Sequence, residues 1–143
     1  MSSKTVLLVE DDITLGDLIV SAMTRRNYQV TWYVRARLDQ SGSLVFMNDR
    51  GVESNFDKAD NAINYEYEFA LVDSRLKGSD MQGIEVTREL VKRGVTVIGS
   101  SGLPYLNQAL VKAGAVGGIE KHEIFTRVLK GDSLLHGLTL QRL

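Results

Sequence analysis

Two short apolar runs end abruptly in carboxylates, and they constrain the fold more than anything else in the chain. The first is Val6-Leu7-Leu8-Val9, followed by Glu10-Asp11-Asp12; the second is Phe69-Ala70-Leu71-Val72, followed by Asp73. Runs this short, apolar throughout and bounded by acids, read as strands buried on both faces, which is the pattern of a parallel sheet covered by helices. In an open parallel sheet the carboxyl ends of the strands line one crevice. If the two strands are neighbours, three or four carboxylates converge there. Such a group repels itself unless a hard cation sits among its oxygens.

The rest of the chain alternates in the same way. Leu15, Leu18, Ile19, Ala22 and Met23 recur at helical spacing and predict a helix over about 13–25, with Asp11 or Asp12 able to cap it. Tyr28 to Val34 reads as a second strand. Between Arg35 and Asn55, the turn signals Ser41-Gly42 and Asp49-Arg50-Gly51 flank Leu44-Val45-Phe46 and suggest a hairpin-like excursion. A short helix is expected from Phe56 to Asn64, with Ala59, Ala62 and Ile63 facing inward. After the Phe69 strand and a loop from Ser74 to Gln82, Ile84, Thr87, Leu90 and Val91 mark a helix closed by Gly94. Val95 to Gly99 is a fourth strand, and Pro104 and Gly114 bracket a helix with the favoured asymmetry. Val116 to Glu120 is a short fifth strand, and Ile124, Phe125, Val128 and Leu129 mark a last helix before Gly131. Strands alternating with helices in this way imply βαβ units in one domain over 1–143, with 132–143 as a tail.

Composition narrows the function classes. Net charge is −1 from 17 basic and 18 acidic residues, which gives no argument for nucleic acid or a membrane surface. No apolar run approaches the ~20 residues of a membrane span. Glu10 to Asp12 interrupt any apolar signal region near the N-terminus. There is no cysteine, hence no disulfide, which is compatible with a cytoplasmic location.

Taken in order, Val-Leu-Leu-Val-Glu-Asp-Asp (6–12), Ala-Leu-Val-Asp-Ser-Arg-Leu (70–76), Val-Ile-Gly-Ser-Ser (97–101) and Lys-Ala-Gly-Ala-Val-Gly-Gly-Ile-Glu-Lys (112–121) resemble the motifs of receiver domains of bacterial two-component response regulators. Each motif alone is weak; the ordered set is specific and spans nearly the whole chain. The resemblance implies an α/β, flavodoxin-like, doubly wound five-stranded parallel sheet of order 2-1-3-4-5, with an insertion between the second and third strands. It makes Asp73 the phosphoacceptor, a carboxylate attacking phosphorus. Glu10, Asp11, Asp73 and the main-chain carbonyl of Arg75 would hold Mg2+, and Ser100 and Lys121 would bind the phosphoryl oxygens. Ser101 competes with Ser100, because a one-residue slip changes the facing side chain. Asp12 is left to cap the first helix. The implied partners are a sensor histidine kinase or phosphotransfer protein and a downstream output domain or protein. Self-phosphorylation and autodephosphorylation are the only implied chemistry, and a homodimer stays open.

The chain departs from that family at four places. His122 stands where proline usually follows the lysine; a non-proline cis bond costs about 3 kcal/mol, so a trans peptide and a shifted Lys121 are expected. Gly118 stands where the family carries a switch aromatic. The segment between the second and third strands is markedly longer, and the loop after Asp73 is slightly longer, with Lys77-Gly78 in place of the frequent Pro-Gly. The insertion, with Trp32, Tyr33 and Phe46 nearby, is either a contact surface or a tolerated surface addition; the low cost of extra loop length favours the second. His122 and His136 lack partners at metal-ligand spacing. The alternatives are a degenerate receiver serving as a protein-binding module and, last, a metal-dependent phosphatase, which normally has a second acid close after the nucleophile where this chain has Ser74-Arg75.

Overall fold

A computed structural model of the protein describes residues 4–58, 67–131 and 134. The elements run β1 (Lys4–Val9), α1 (Ile13–Thr24), β2 (Tyr28–Tyr33), β3 (Arg35–Leu38), β4 (Leu44–Met47), β5 (Glu53–Asn55), β6 (Phe69–Val72), α2 (Gly83–Lys92), β7 (Val97–Ser100), α3 (Pro104–Lys112), β8 (Gly117–Ile119) and α4 (Lys121–Leu129). Five strands form a parallel sheet of order β2-β1-β6-β7-β8. With the inserted strands β3 to β5 set aside, this is the expected order 2-1-3-4-5.

Alternation along the central strands divides the core. Leu7 and Val9 of β1 face one layer; Val6 and Leu8 face the other. The Val6/Leu8 layer takes Ile19 and Met23 of α1 and Ile124 and Val128 of α4. The opposite layer takes Val86 and Leu90 of α2 and Leu110 of α3. All four residues of β6 and of β7 are buried, as fits strands covered on both faces.

Short local signals set the ends of the helices. The Asp12 carboxylate accepts from the Leu15 amide at 2.9 Å and caps α1. Gln82 and Glu85 form a reciprocal capping box at the start of α2. Gly83 opens α2 hard against the strand-end loop: a Cβ there would lie 2.1 Å from the Asp73 carbonyl oxygen, so only glycine lets the helix come this close.

The insertion is not a surface addition. β3, β4 and β5 form a separate antiparallel sheet laid on the layer of α2 and α3. Leu44 and Phe46 are 0% exposed, Ala36 is 3% exposed, and the Tyr33 ring stacks on Phe46 at 4.9 Å. Burying a Leu or Phe side chain contributes about 1.5–3 kcal/mol each, whereas doubling a loop's length costs only about 0.6 kcal/mol, so the core contacts dominate. Phe46 is therefore unavailable as a contact surface. Arg93, at the C-terminus of α2, is braced on its own helix by Nη1 to Glu89 Oε1 at 2.9 Å and reaches the segment after β5 through Nε to Asp57 Oδ1 at 2.7 Å and Nη2 to Asp57 Oδ2 at 2.9 Å. Asp57 in turn accepts from the Leu44 amide at 2.8 Å. Residues 56–58 form turn and bend rather than the start of the expected helix; its remainder, with Ala59, Ala62 and Ile63, lies outside the described residues, as do His136 and the tail apart from Leu134.

Candidate functional site

The two acidic strand ends are brought together by the main chain. β1 lies between β2 and β6, and the ladder continues one residue past the strands: the Glu10 amide donates to the Tyr33 carbonyl at 3.0 Å and the Asp73 amide to the Val9 carbonyl at 3.0 Å. One carboxylate oxygen from each of Glu10, Asp11 and Asp73 lies within 4.8 Å of the others. Glu10 is 1% and Asp73 6% exposed. Asp11 is half-buried and accepts from the Lys77 amide at 3.0 Å. Arg75 stands in the loop directly after Asp73 with its side chain exposed; the role implied for it rests on its carbonyl.

Lys121 closes the cluster. Its ammonium is 2.9 Å from Glu10 Oε1 and donates to Asp73 Oδ2 at 3.1 Å. No peptide is cis among the described residues, and Lys121 still reaches Asp73. The Glu10 contact is close but poorly angled, and Oε1 is a buried acceptor without a hydrogen bond. Burial, then the charge of Asp73, hold the Glu10 carboxyl above the usual carboxylate range, only partly offset by Lys121. Burial also raises the Asp73 carboxyl, with Lys121 opposing. For Lys121 burial works downward, but the close contact with Glu10 and the charge of Asp73 outweigh it and the net direction is up. Three carboxylates, two of them disfavoured as anions, and one unmet buried oxygen form a donor set that suits a hard divalent cation.

The two serines separate clearly. Ser100 Oγ is buried and unpartnered. Ser101 Oγ is engaged locally, accepting from the Ser74 hydroxyl at 3.3 Å and the Leu103 amide at 3.2 Å. Ser100 is thus the hydroxyl free to meet a ligand.

Three supporting residues were not visible in the sequence as such. Trp32 donates its indole N–H to the Glu10 carbonyl at 2.9 Å and lies flat over Gly16, where a Cβ would come 2.1 Å from Trp32 Cζ2. Gly83 fixes the approach of α2 to Asp73. Asn107, in the middle of α3, is 3% exposed. Its signal was a pair of glycines, Gly99 and Gly118, which face each other across β7 and β8. The insertion also reaches the site's rim: Asn48, Asp49 and Gly51 of the β4–β5 turn share a cleft of about 260 Å3 with Asp11, Arg35 and Lys77. His122 does have neighbours after all. Its imidazole is 3.5 Å from Glu120 Oε2, and Glu120, His122 and Glu123 could bring three donors together on the surface.

No family model and no curated protein matches the chain. Solved structures do. NtrX of Brucella abortus superposes with a TM-score of 0.61 at 20% identity, over 90% of this chain and 25% of that one. This chain therefore spans about a quarter of the length of that protein. The receiver domain of the sensor histidine kinase PA1611 of Pseudomonas aeruginosa, with a magnesium ion in its active-site cleft, matches at 0.59 and 19% identity, over 90% of this chain and 97% of that one. A Burkholderia pseudomallei response regulator with a phosphorylated aspartic acid, calcium and citrate matches at 0.60 and 16% identity, over 92% and 68%. The described helices include none long and apolar enough to cross a membrane. The fold of this chain is that of the receiver domains of response regulators.

Proposed function

We propose that the chain is a phosphoacceptor receiver. A phosphohistidine on a sensor histidine kinase or phosphotransfer protein supplies the phosphoryl group. An Asp73 carboxylate oxygen bonds to phosphorus as the phosphorus–nitrogen bond breaks, and the imidazole departs with a proton from solvent. Glu10, Asp11, Asp73 and the Arg75 carbonyl would hold Mg2+, whose charge would neutralise the phosphoryl oxygens when bound. Lys121 already stands at Asp73 to meet one of those oxygens, and Ser100 offers the unpartnered hydroxyl for another. The protein turns over no outside substrate in this reading, works in the cytoplasm, and passes its state to an output domain or protein.

The observation that carries the reading is the group Glu10, Asp11 and Asp73 at the ends of two adjacent strands, with Lys121 at the start of α4 paired to Glu10 and Asp73. Intact-mass spectrometry after incubation with a small phosphodonor and Mg2+ tests it. One added phosphoryl group is expected, absent in Asp73→Asn and without Mg2+. Gly118 and His122 favour a second reading, a degenerate receiver that binds a protein partner without phosphorylation. Absence of both an adduct and a beryllofluoride-induced thermal shift in the wild-type protein would favour that one.

A further inference from the structure

β7 and β8 meet through two glycines, and one asparagine fills the space they leave. Gly99 pairs with Gly118 across the parallel ladder. A Cβ on Gly99 would come 3.1 Å from Asn107 Oδ1, and one on Gly118 would come 2.6 Å from Asn107 Cβ. The Asn107 amide nitrogen donates to the Ser101 carbonyl at 3.4 Å and to the Ile119 carbonyl at 3.3 Å. Both partners are acceptors, so chemistry fixes the orientation of the amide: nitrogen toward the carbonyls, oxygen toward Gly99. Oδ1 is left buried and without a donor.

Stability alone does not account for this residue. Both hydrogen bonds sit beyond the usual distance range, and a buried acceptor without a partner costs about 1–3 kcal/mol. Asparagine is also a poorer helix former than leucine, which has the same branched outline and no polar atoms to satisfy. What leucine would lack is the connection. The Ser101 carbonyl belongs to the segment that carries the unpartnered Ser100 hydroxyl. The Ile119 carbonyl belongs to the strand that runs through Glu120 into Lys121. The amide therefore ties together the two arms of the site that do not hold the acidic cluster.

We propose that Asn107 is a positioning residue that couples Ser100 to Lys121, bridging β7 and β8 over the Gly99–Gly118 pair in the place left open by the missing aromatic. The proposal rests on the receiver reading. In the present state the bridge is slack, with long bonds and an unmet oxygen. Movement of residues 100–101 toward a phosphoryl group on Asp73 alters the bond to Ser101, and through the amide the strain reaches Ile119 and the start of α4.

Wild type, Asn107→Leu and Asn107→Ala are compared for binding of Mg2+ and, at saturating Mg2+, of beryllofluoride as the phosphoryl mimic. Mg2+ affinity is expected not to fall, because the carboxylates lie on the ends of β1 and β6 and a loosened Lys121 competes with the ion less. Beryllofluoride affinity is expected to fall about tenfold in both variants, and in a Ser100→Ala background the loss on Asn107→Leu is expected to shrink to about twofold or less. The two side-chain amide protons of Asn107 in the wild-type protein should shift on beryllofluoride binding, a readout that does not depend on the variants folding. The proposal is overturned if both variants bind beryllofluoride as wild type does, if Mg2+ and beryllofluoride weaken together, if the Asn107 and Ser100 effects simply add, or if the amide protons do not respond. If wild type itself binds no beryllofluoride, the receiver reading fails, and this inference fails with it.

Discussion

At the scale of single residues, the site is built from side chains whose surroundings differ more than their chemistry does. Ser100 and Ser101 are adjacent hydroxyls, but Ser101 is committed to Ser74 and Leu103 while Ser100 has no partner. Ser100→Ala should therefore weaken beryllofluoride binding by about one to two powers of ten, as loss of a hydrogen bond to a charged group does. Ser101→Ala should leave that binding near wild type and lower stability by about 1 kcal/mol. Titration calorimetry and thermal unfolding check both. Trp32 is a more direct reporter than its place on β2 suggests, because its indole holds the Glu10 carbonyl. Mg2+ should change its emission, and Glu10→Gln should reduce the change; fluorescence titration decides. A sequence contains Trp32 and Glu10 but not the bond between them, since 22 residues and a strand crossing separate the two.

At the scale of elements, local pattern and long-range pairing diverged in how legible they were. The buried strands, the helix over α1 and its Asp12 cap follow from adjacent residues, and the sheet order followed from the motifs. The inserted sheet did not. Its turns at Ser41-Gly42 and Asp49-Arg50-Gly51 were readable, but Leu44-Val45-Phe46 carries no alternation to say which side is covered, and the decisive contacts come from Tyr33 and α2. Asn107 gave no signal of its own because the glycines that make room for it lie on two other strands. Phe46→Ala should cost about 3–5 kcal/mol in chemical denaturation, a core value rather than a loop value. The Arg93 guanidinium holds the Asp57 carboxyl below its ordinary range. A carboxyl depressed in the folded state adds stability above its unfolded pKa of about 3.9, and that stability is lost as pH falls below it. The protection factor of the Leu44 amide, which donates to Asp57, should therefore fall as pH drops below about 4. In Arg93→Ala it should be low at neutral pH as well.

At the scale of the whole molecule, one central sheet separates two cores, and the insertion completes one of them. Replacing residues 39–55 with a short linker removes Leu44 and Phe46 from over Val9, Val72 and Leu76. The expected result is loss of a single cooperative unfolding transition, checked by calorimetry, whereas removal of a mere surface loop would leave the transition intact. Both cores meet the carboxyl edge of the sheet, where Trp32 supports Glu10 from one side and Gly83 admits α2 to Asp73 from the other. The geometry of the acidic group is thus a property of both layers.

Lys121 gives that edge a counter-ion of its own. Before any divalent cation arrives, the ammonium of a side chain that is 22% exposed already spans Glu10 and Asp73. The pocket is self-screened, and an incoming cation must share oxygens with a tethered competitor whose local concentration never changes. Dissolved ions act only outside this pair, so raising the ionic strength gains little purchase on it. Cutting the tether's charge, by contrast, would free two carboxylates at once, so the same residue that readies the site for an anion restrains its appetite for a metal.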